Sequence, residues 1–198
     1  MLLLGAALAT DPLAAGATAQ CQNAKCGGVD ISYPFAMNSS SCPMVPAFEV
    51  SCNDMGNGVY KPFVGDVELL SIDVQLGQVR VGNRISYSCY NKSSRQIDSN
   101  VWELTLTGTG YRFSDSANKF IVTGCRTLAY IADQDYVGKY MSGCVSVCRR
   151  GDLIGVIDGV CSEKGCCQTT IPKGLDYYQM WFEESMNTSG IYNGTPCS

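Results

Sequence analysis

Residues 69–81 read LLSIDVQLGQVRV, and their periodicity decides the fold class. Leu70, Ile72, Val74 and Leu76 alternate with Ser71, Asp73 and Gln75, the period-two pattern of a strand with one face buried. Gly77 breaks the alternation, and Val79 and Val81 resume it on the other parity, which predicts a hairpin turning near Gly77-Gln78. The same reading extends outward. VWELTLT (residues 101–107) sets Trp102, Leu104 and Leu106 on one face, and Phe120 and Val122 continue the pattern ahead of Gly124-Cys125. Helix signals are weak: LDYYQMWFEESM (residues 175–186) suits a short amphipathic helix, though its aromatics suit a strand almost as well. The 21 Gly and 7 Pro are spread along the chain as turns rather than gathered into one linker. The expected fold is mainly β and disulfide-rich: two short-stranded β modules with few or short helices.

The chain opens MLLLGAALATDPLAAGATA, a short apolar run that ends in the small-x-small pattern of Ala17-Thr18-Ala19. This reads as a signal peptide over residues 1–19 with a mature start at Gln20, although no basic residue precedes the run and Asp11-Pro12 interrupts it. The run is much shorter than the roughly 20 apolar residues of a membrane helix, and no later segment comes close. All 12 cysteines fall after residue 19. In an oxidising compartment their even number implies complete pairing. Ten Asn and 30 Ser plus Thr would give about 1.5 Asn-x-Ser/Thr triplets by chance, and there are four, at Asn38, Asn91, Asn187 and Asn193. These are the candidate glycosylation sites, and a bulky hydrated glycan there marks exposed surface away from a binding face.

Cys21, Cys26, Cys42, Cys52, Cys89 and Cys125 form one set, and Cys144, Cys148, Cys161, Cys166, Cys167 and Cys197 another. Each set can close its own bridges, which suggests domains at 20–126 and 127–198, the second read as truncated at its C-terminal end. The adjacent Cys166-Cys167 is too closely spaced for an ordinary mutual bridge. On an extended strand the two side chains point to opposite faces and would staple two layers. Zinc is a poor alternative, because Cys144-x3-Cys148 with Cys161-x4-Cys166 is a poor ligand pattern and there is no histidine.

The absence of histidine excludes Ser-His-Asp and Cys-His catalysis and a His general base. The carboxylate pairs Asp133/Asp135 and Glu183/Glu184 read as solvated loop acids, no phosphate-binding glycine loop follows a strand, and no basic run suggests nucleic acid. Neither catalytic residues nor a metal site nor a cofactor is expected. The whole chain carries a formal net charge of −4, so an acidic ligand would need a local basic patch or a bridging cation.

CQNAKCGGVDISYPFAMNSSSC (residues 21–42), with FEVSC ending at Cys52, resembles the opening of the galacturonan-binding domain of plant wall-associated receptor kinases, where Tyr33-Pro34-Phe35 sits as that pattern expects. YRFSDSANKFIVTGC (residues 111–125) is similar to that domain's closing segment. GCVSVC (143–148), GCCQTTIP (165–172) and the final TPCS resemble the cysteine-rich module that follows in the same receptors. One departure is Ala36, where the family often has glycine. The resemblance also predicts continuation beyond Ser198 into a membrane helix and a kinase, so the chain reads as a receptor fragment or a soluble truncated relative.

The resemblance implies a non-catalytic extracellular ectodomain in the cell wall or apoplast that recognises pectic polygalacturonate or its oligomers. Such a ligand carries one carboxylate per sugar, which calls for Arg and Lys side chains aligned along it. The candidates are Arg80 and Arg84 after the predicted turn, and Arg149-Arg150 with Lys119 and Arg126; solvated surface charge is the simpler reading for any one of them. Calcium bridging pectate to the protein's acids stays open. Two alternatives keep the scaffold. One is a protein- or peptide-binding ectodomain using Tyr177, Tyr178, Trp181 and Phe182, and the other is a soluble decoy.

Overall fold

The computed structural model describes residues 2–6, 24–37, 45–91, 93–124, 127–132, 140–147, 156–157, 160–161 and 165–183, with backbone alone at 2–6, 156–157 and 160. These residues form two compact units, Met1–Asn83 with Leu106–Ala117, and Arg84–Thr105 with Asn118–Ser198. Strands dominate both, and the described helical structure is one 3-10 turn, Pro46–Phe48. The mainly β expectation holds.

The first unit begins with β1 (Leu2–Ala6), β2 (Ala24–Cys26), β3 (Val29–Ile31), β4 (Ala36–Met37), β5 (Glu49–Asp54), β6 (Tyr60–Val64), β7 (Val67–Asp73) and β8 (Gln78–Val81). The chain then supplies β9 (Tyr87–Asn91), β10 (Gln96–Asn100) and β11 (Leu104–Thr105) to the second unit and returns to the first for β12 (Tyr111–Phe113). One seven-stranded sheet runs β12-β1-β8-β7-β6-β5-β4, antiparallel except between β4 and β5. Its inner face buries Val50, Leu69, Val79, Val81, Tyr111 and Phe113 together with Ile31 and Phe35. An edge-to-face chain of rings, Phe35 on Phe48 (5.1 Å) and Phe48 on Tyr111 (5.6 Å), extends that core. The Tyr111 hydroxyl donates to the Ala47 carbonyl (2.9 Å), and burial raises its pKa well above the usual phenol range.

The β2–β3 hairpin is pinned to β5 by the Cys26–Cys52 disulfide, with Cα atoms 5.7 Å apart. Its turn requires Gly27, whose φ is +56° and whose missing Cβ leaves room for the Tyr60 carbonyl. Of Tyr33-Pro34-Phe35, joined by a cis Tyr33-Pro34 peptide, only Phe35 is an anchor, because Tyr33 is exposed.

The predicted hairpin is present as β7 and β8. The Asp73 carboxylate accepts hydrogen bonds from the N–H groups of Gln75 (3.1 Å) and Leu76 (3.0 Å), and Gly77 takes φ +61°. The expected burial of Leu70, Val74 and Leu76 is corrected: all three are exposed, Leu76 by 68%. A bulge between Leu69 and Ser71 shifts the register, so Leu69 faces the core opposite Val81 and Ile72 stands opposite Val79. The strand also ends at Asp73, which leaves Val74 and Leu76 in the turn.

The second unit continues with β13 (Lys119–Thr123), β14 (Thr127–Ala132), β15 (Met141–Ser146), β16 (Val156–Ile157), β17 (Val160–Cys161), β18 (Cys166–Thr170) and β19 (Tyr177–Phe182). Its four-stranded sheet runs β11-β19-β14-β15, beside the pairs β9–β10, β13–β18 and β16–β17. The stretch that suited a helix is β19, with Tyr178 and Met180 buried and Trp181 turned the other way to stack on Tyr130 (5.2 Å). The small core is Val122, Ala129, Cys144 and Met180, flanked by Phe120, Cys167 and Phe182. Within β18, Cys166 bonds Cys161 and Cys167 bonds Cys144, so one strand is stapled to β17 and to β15. The buried Ser146 hydroxyl donates to the Gly124 carbonyl (2.5 Å). Leu104 and Leu106 are buried as the period-two reading requires.

Candidate ligand-binding face

Alternation along β8 buries Val79 and Val81 and therefore turns Arg80 outward. Arg80 stands opposite Ser71 of β7 and Leu3 of β1. Gln78, two positions back on the same face, is opposite Asp73 on one side and Gly5 on the other, and Gly5 is opposite Arg112 of β12. Register thus places Arg80 and Arg112 on one outer face, two strands and two residues apart, about 12 Å between Cα atoms. Arg112 is half-buried and donates from Nη1 to the Tyr111 carbonyl (2.6 Å).

Glu68 and Lys61 lie further across the same sheet. Lys61 Nζ contacts the Glu68 carboxylate at 2.9 and 3.1 Å, which neutralises that acid within the face. Asp73 is turned to its turn amides. The exposed Arg80 takes part in neither the Lys61–Glu68 nor the Lys25–Asp30 ion pair. Its guanidinium is therefore available to a carboxylate in the bidentate geometry that Arg favours.

The other candidate bases are placed elsewhere. Because β8 ends at Val81, Arg84 lies exposed beyond the hairpin arm and belongs to the second unit. Lys119 is exposed at the start of β13, opposite Thr170. Arg126, Arg149 and Arg150 lie outside the described residues, as do the glycosylation candidates Asn38, Asn187 and Asn193. Asn91 is exposed at the end of β9, and its Oδ1 accepts from the Ser93 (2.9 Å) and Ser94 (3.2 Å) N–H groups. Sequence reasoning missed Arg112 and Lys61, because only the strand order β12-β1-β8-β7-β6 gathers them near Arg80.

The aromatic cluster divides by parity. Tyr178 is buried and meets Trp102 edge-on (6.1 Å), whereas the Tyr177 hydroxyl donates to Glu103 (3.0 Å). Disulfides are described for Cys26, Cys52, Cys144, Cys161, Cys166 and Cys167, and Cys89 is also bonded; Cys21, Cys42, Cys125, Cys148 and Cys197 lie outside the described residues. Among the described residues no group of acids and cysteines could hold a metal ion, and no helix is long and apolar enough to cross a membrane.

Residues 21–83 match the family described as wall-associated receptor kinase galacturonan-binding. The chain is 30% identical to wall-associated receptor kinase 2 of Arabidopsis thaliana over 181 residues, covering 90% of this chain and 23% of that protein. Wall-associated receptor kinase 1 of the same plant is 30% identical over 185 residues, with 90% and 23% covered. Wall-associated receptor kinase 4 is 31% identical over 160 residues, with 77% and 19% covered. The chain thus spans about a quarter of the length or less of these curated relatives. No solved structure matches it. Residues 21–83 thus carry the galacturonan-binding family's domain, and along most of its length the chain is similar to a part of the wall-associated receptor kinases.

Proposed function

We propose that this region binds the acidic galacturonan of pectin without catalysing a reaction on it, and that Arg80 on the outer sheet face is a primary contact. The family match at residues 21–83 carries the reading. Physical support comes from the face itself. An exposed Arg outside the described ion pairs, with Arg112 on the same side and the nearby Glu68 already neutralised by Lys61, suits a chain of carboxylates. Lys119 and Arg84 are secondary contact candidates, and Arg126, Arg149 and Arg150 keep that role from the sequence alone. Secretion through the leader at residues 1–19, location in the cell wall, glycosylation at the four Asn positions and calcium bridging to pectate belong to the same proposal.

The test is a glycan array of defined galacturonate oligomers read at two salt concentrations, with and without calcium. Binding to de-esterified oligomers that weakens as salt rises is expected, because exposed charge pairs are screened. Undetectable binding at low salt in both cation conditions would remove the pectin reading.

A further inference from the structure

An ion pair shares the outer face of the first unit's sheet with Arg80. Pro62 of β6 and Leu69 of β7 are buried, which turns Lys61, Glu68 and Leu70 to the opposite side, where Arg80 also stands. Lys61 Nζ is 2.9 Å from one Glu68 carboxylate oxygen and 3.1 Å from the other. The Glu68 side chain also reaches toward β8: the Gly82 N–H donates to the Glu68 carbonyl (2.8 Å), and a Cβ at Gly82 would stand 4.0 Å from Glu68 Oε2. Gly82 follows Arg80 by two residues, so this acid lies between the strands that carry the two cations. Register sets their spacing. Phe63 stands opposite Glu68, and two residues further Lys61 comes level with Leu70, the residue that the bulge inserts ahead of the Ser71–Arg80 pair. Lys61 and Arg80 are therefore nearly level on β6 and β8, two strand separations or about 9.6 Å apart at Cα, with the exposed Leu70 between them.

We propose that the galacturonan chain runs across the strands from Arg80 to Lys61 and displaces Glu68 from Lys61, so that Glu68 sets how tightly chains of three or more sugars bind. The inference rests on the galacturonan reading and adds to it a direction, a second cation and an opposing acid. Each sugar of an extended chain advances it by roughly the 4.8 Å that separates neighbouring strands, so carboxylates on alternate sugars match the two cations while the ring between them rests on Leu70. Lys61 then exchanges one carboxylate for another, which by itself gains little. Glu68 is left beside the incoming chain, and the like charges oppose binding. Two sugars reach Arg80 without reaching Lys61 and leave the ion pair closed. A chain laid along β8 would pass Arg80 and Gln78 instead and would not open the pair at any length.

The test titrates galacturonate dimer and trimer into the full chain at low salt, by calorimetry, for wild type, Glu68→Gln and the variant carrying both Lys61→Gln and Glu68→Gln. Glu68→Gln should tighten the trimer about threefold to tenfold and change the dimer by less than about twofold, and the double variant should lose that gain. Where Gln at position 68 is not tolerated, Glu68→Thr replaces it, because Thr suits a strand. In wild-type protein the carbon-13 signals of the Lys61 side chain should shift on saturation with trimer and stay in place with dimer, a readout that needs no variant. Four results would overturn the proposal: unchanged or weaker trimer binding in Glu68→Gln, an equal gain for both oligomers, a gain kept by the double variant, or a Lys61 signal that does not move with bound trimer. Any of them, together with wild-type binding that Arg80→Ala weakens, leaves the galacturonan reading standing. Wild-type protein that binds neither oligomer removes both.

Discussion

The first unit buries Phe35, Val50, Leu69, Val79, Val81 and Phe113 along one seven-stranded sheet, whereas the second divides its chain among a four-stranded sheet and three two-stranded pairs. The described cluster of the second unit is Val122, Ala129, Cys144 and Met180, with Phe120 and Phe182 only partly buried against it. Strand β18, one of the β13–β18 pair, is fastened to β15 and β17 by adjacent bridges. A wide sheet can bury enough apolar area to hold its strands in register, while short paired strands do so marginally and need covalent help. The same scaffold therefore uses two kinds of cohesion, and each should fail under a different perturbation.

The largest expected effect is in the first unit. Phe113→Ala removes a ring that is 2% exposed, and should cost about 3–5 kcal/mol in denaturant unfolding. Loss of hydrogen-exchange protection should begin in β7, β8 and β12 while β13 and β18 keep theirs. A loss shared equally by both units would show that they do not differ in this way.

The second perturbation reverses the roles. Replacing Cys144 and Cys167 together by Ala removes a bridge spanning 23 residues, which should cost about 3 kcal/mol, chiefly by freeing the unfolded chain. Protection at β14, β15 and β18 should fall with the first unit's sheet intact. Mild reduction should give the same order of loss, and retention of β18 protection after reduction would contradict the stapling account.

The smallest effect separates the two sides of the β7–β8 hairpin. Leu76→Ser, at a side chain that is 68% exposed, should change stability by no more than about 0.5 kcal/mol. A loss of several kcal/mol there would mean that the hairpin turns its other face inward. This position also shows where the sequence was legible. Val79, Val81, Leu104, Leu106 and Val122 could be read as buried from alternation alone. Leu70 and Leu76 could not, because a bulge at Leu69/Ser71 and a turn closed by Asp73 are decided by tertiary pairing that alternation does not encode.

Residues 175–186 carried two compatible patterns, and pairing of β19 with both β11 and β14 resolved them toward strand. The bridge partners of Cys166 and Cys167 also needed the fold, since only the register of β13 with β18 and the approach of β15 choose Cys144 and Cys161. At the candidate face, Arg80 was legible as an outward position on a strand. Its grouping with Arg112 and Lys61 was not, because strands distant in sequence meet there. The expected partner Arg84 was separated from it by the end of β8 at Val81.

Galacturonate binding at the outer face of the first unit's sheet, as proposed, depends on Arg80. Titration of a defined galacturonate oligomer into wild-type protein and Arg80→Ala, at low and moderate salt, tests it most directly. The account predicts an affinity loss of about tenfold or more in the variant, from one charge-assisted contact of about 1.5–3 kcal/mol, with a shallower salt dependence and unchanged thermal stability. Equal affinity and equal salt dependence in the two folded proteins would contradict it.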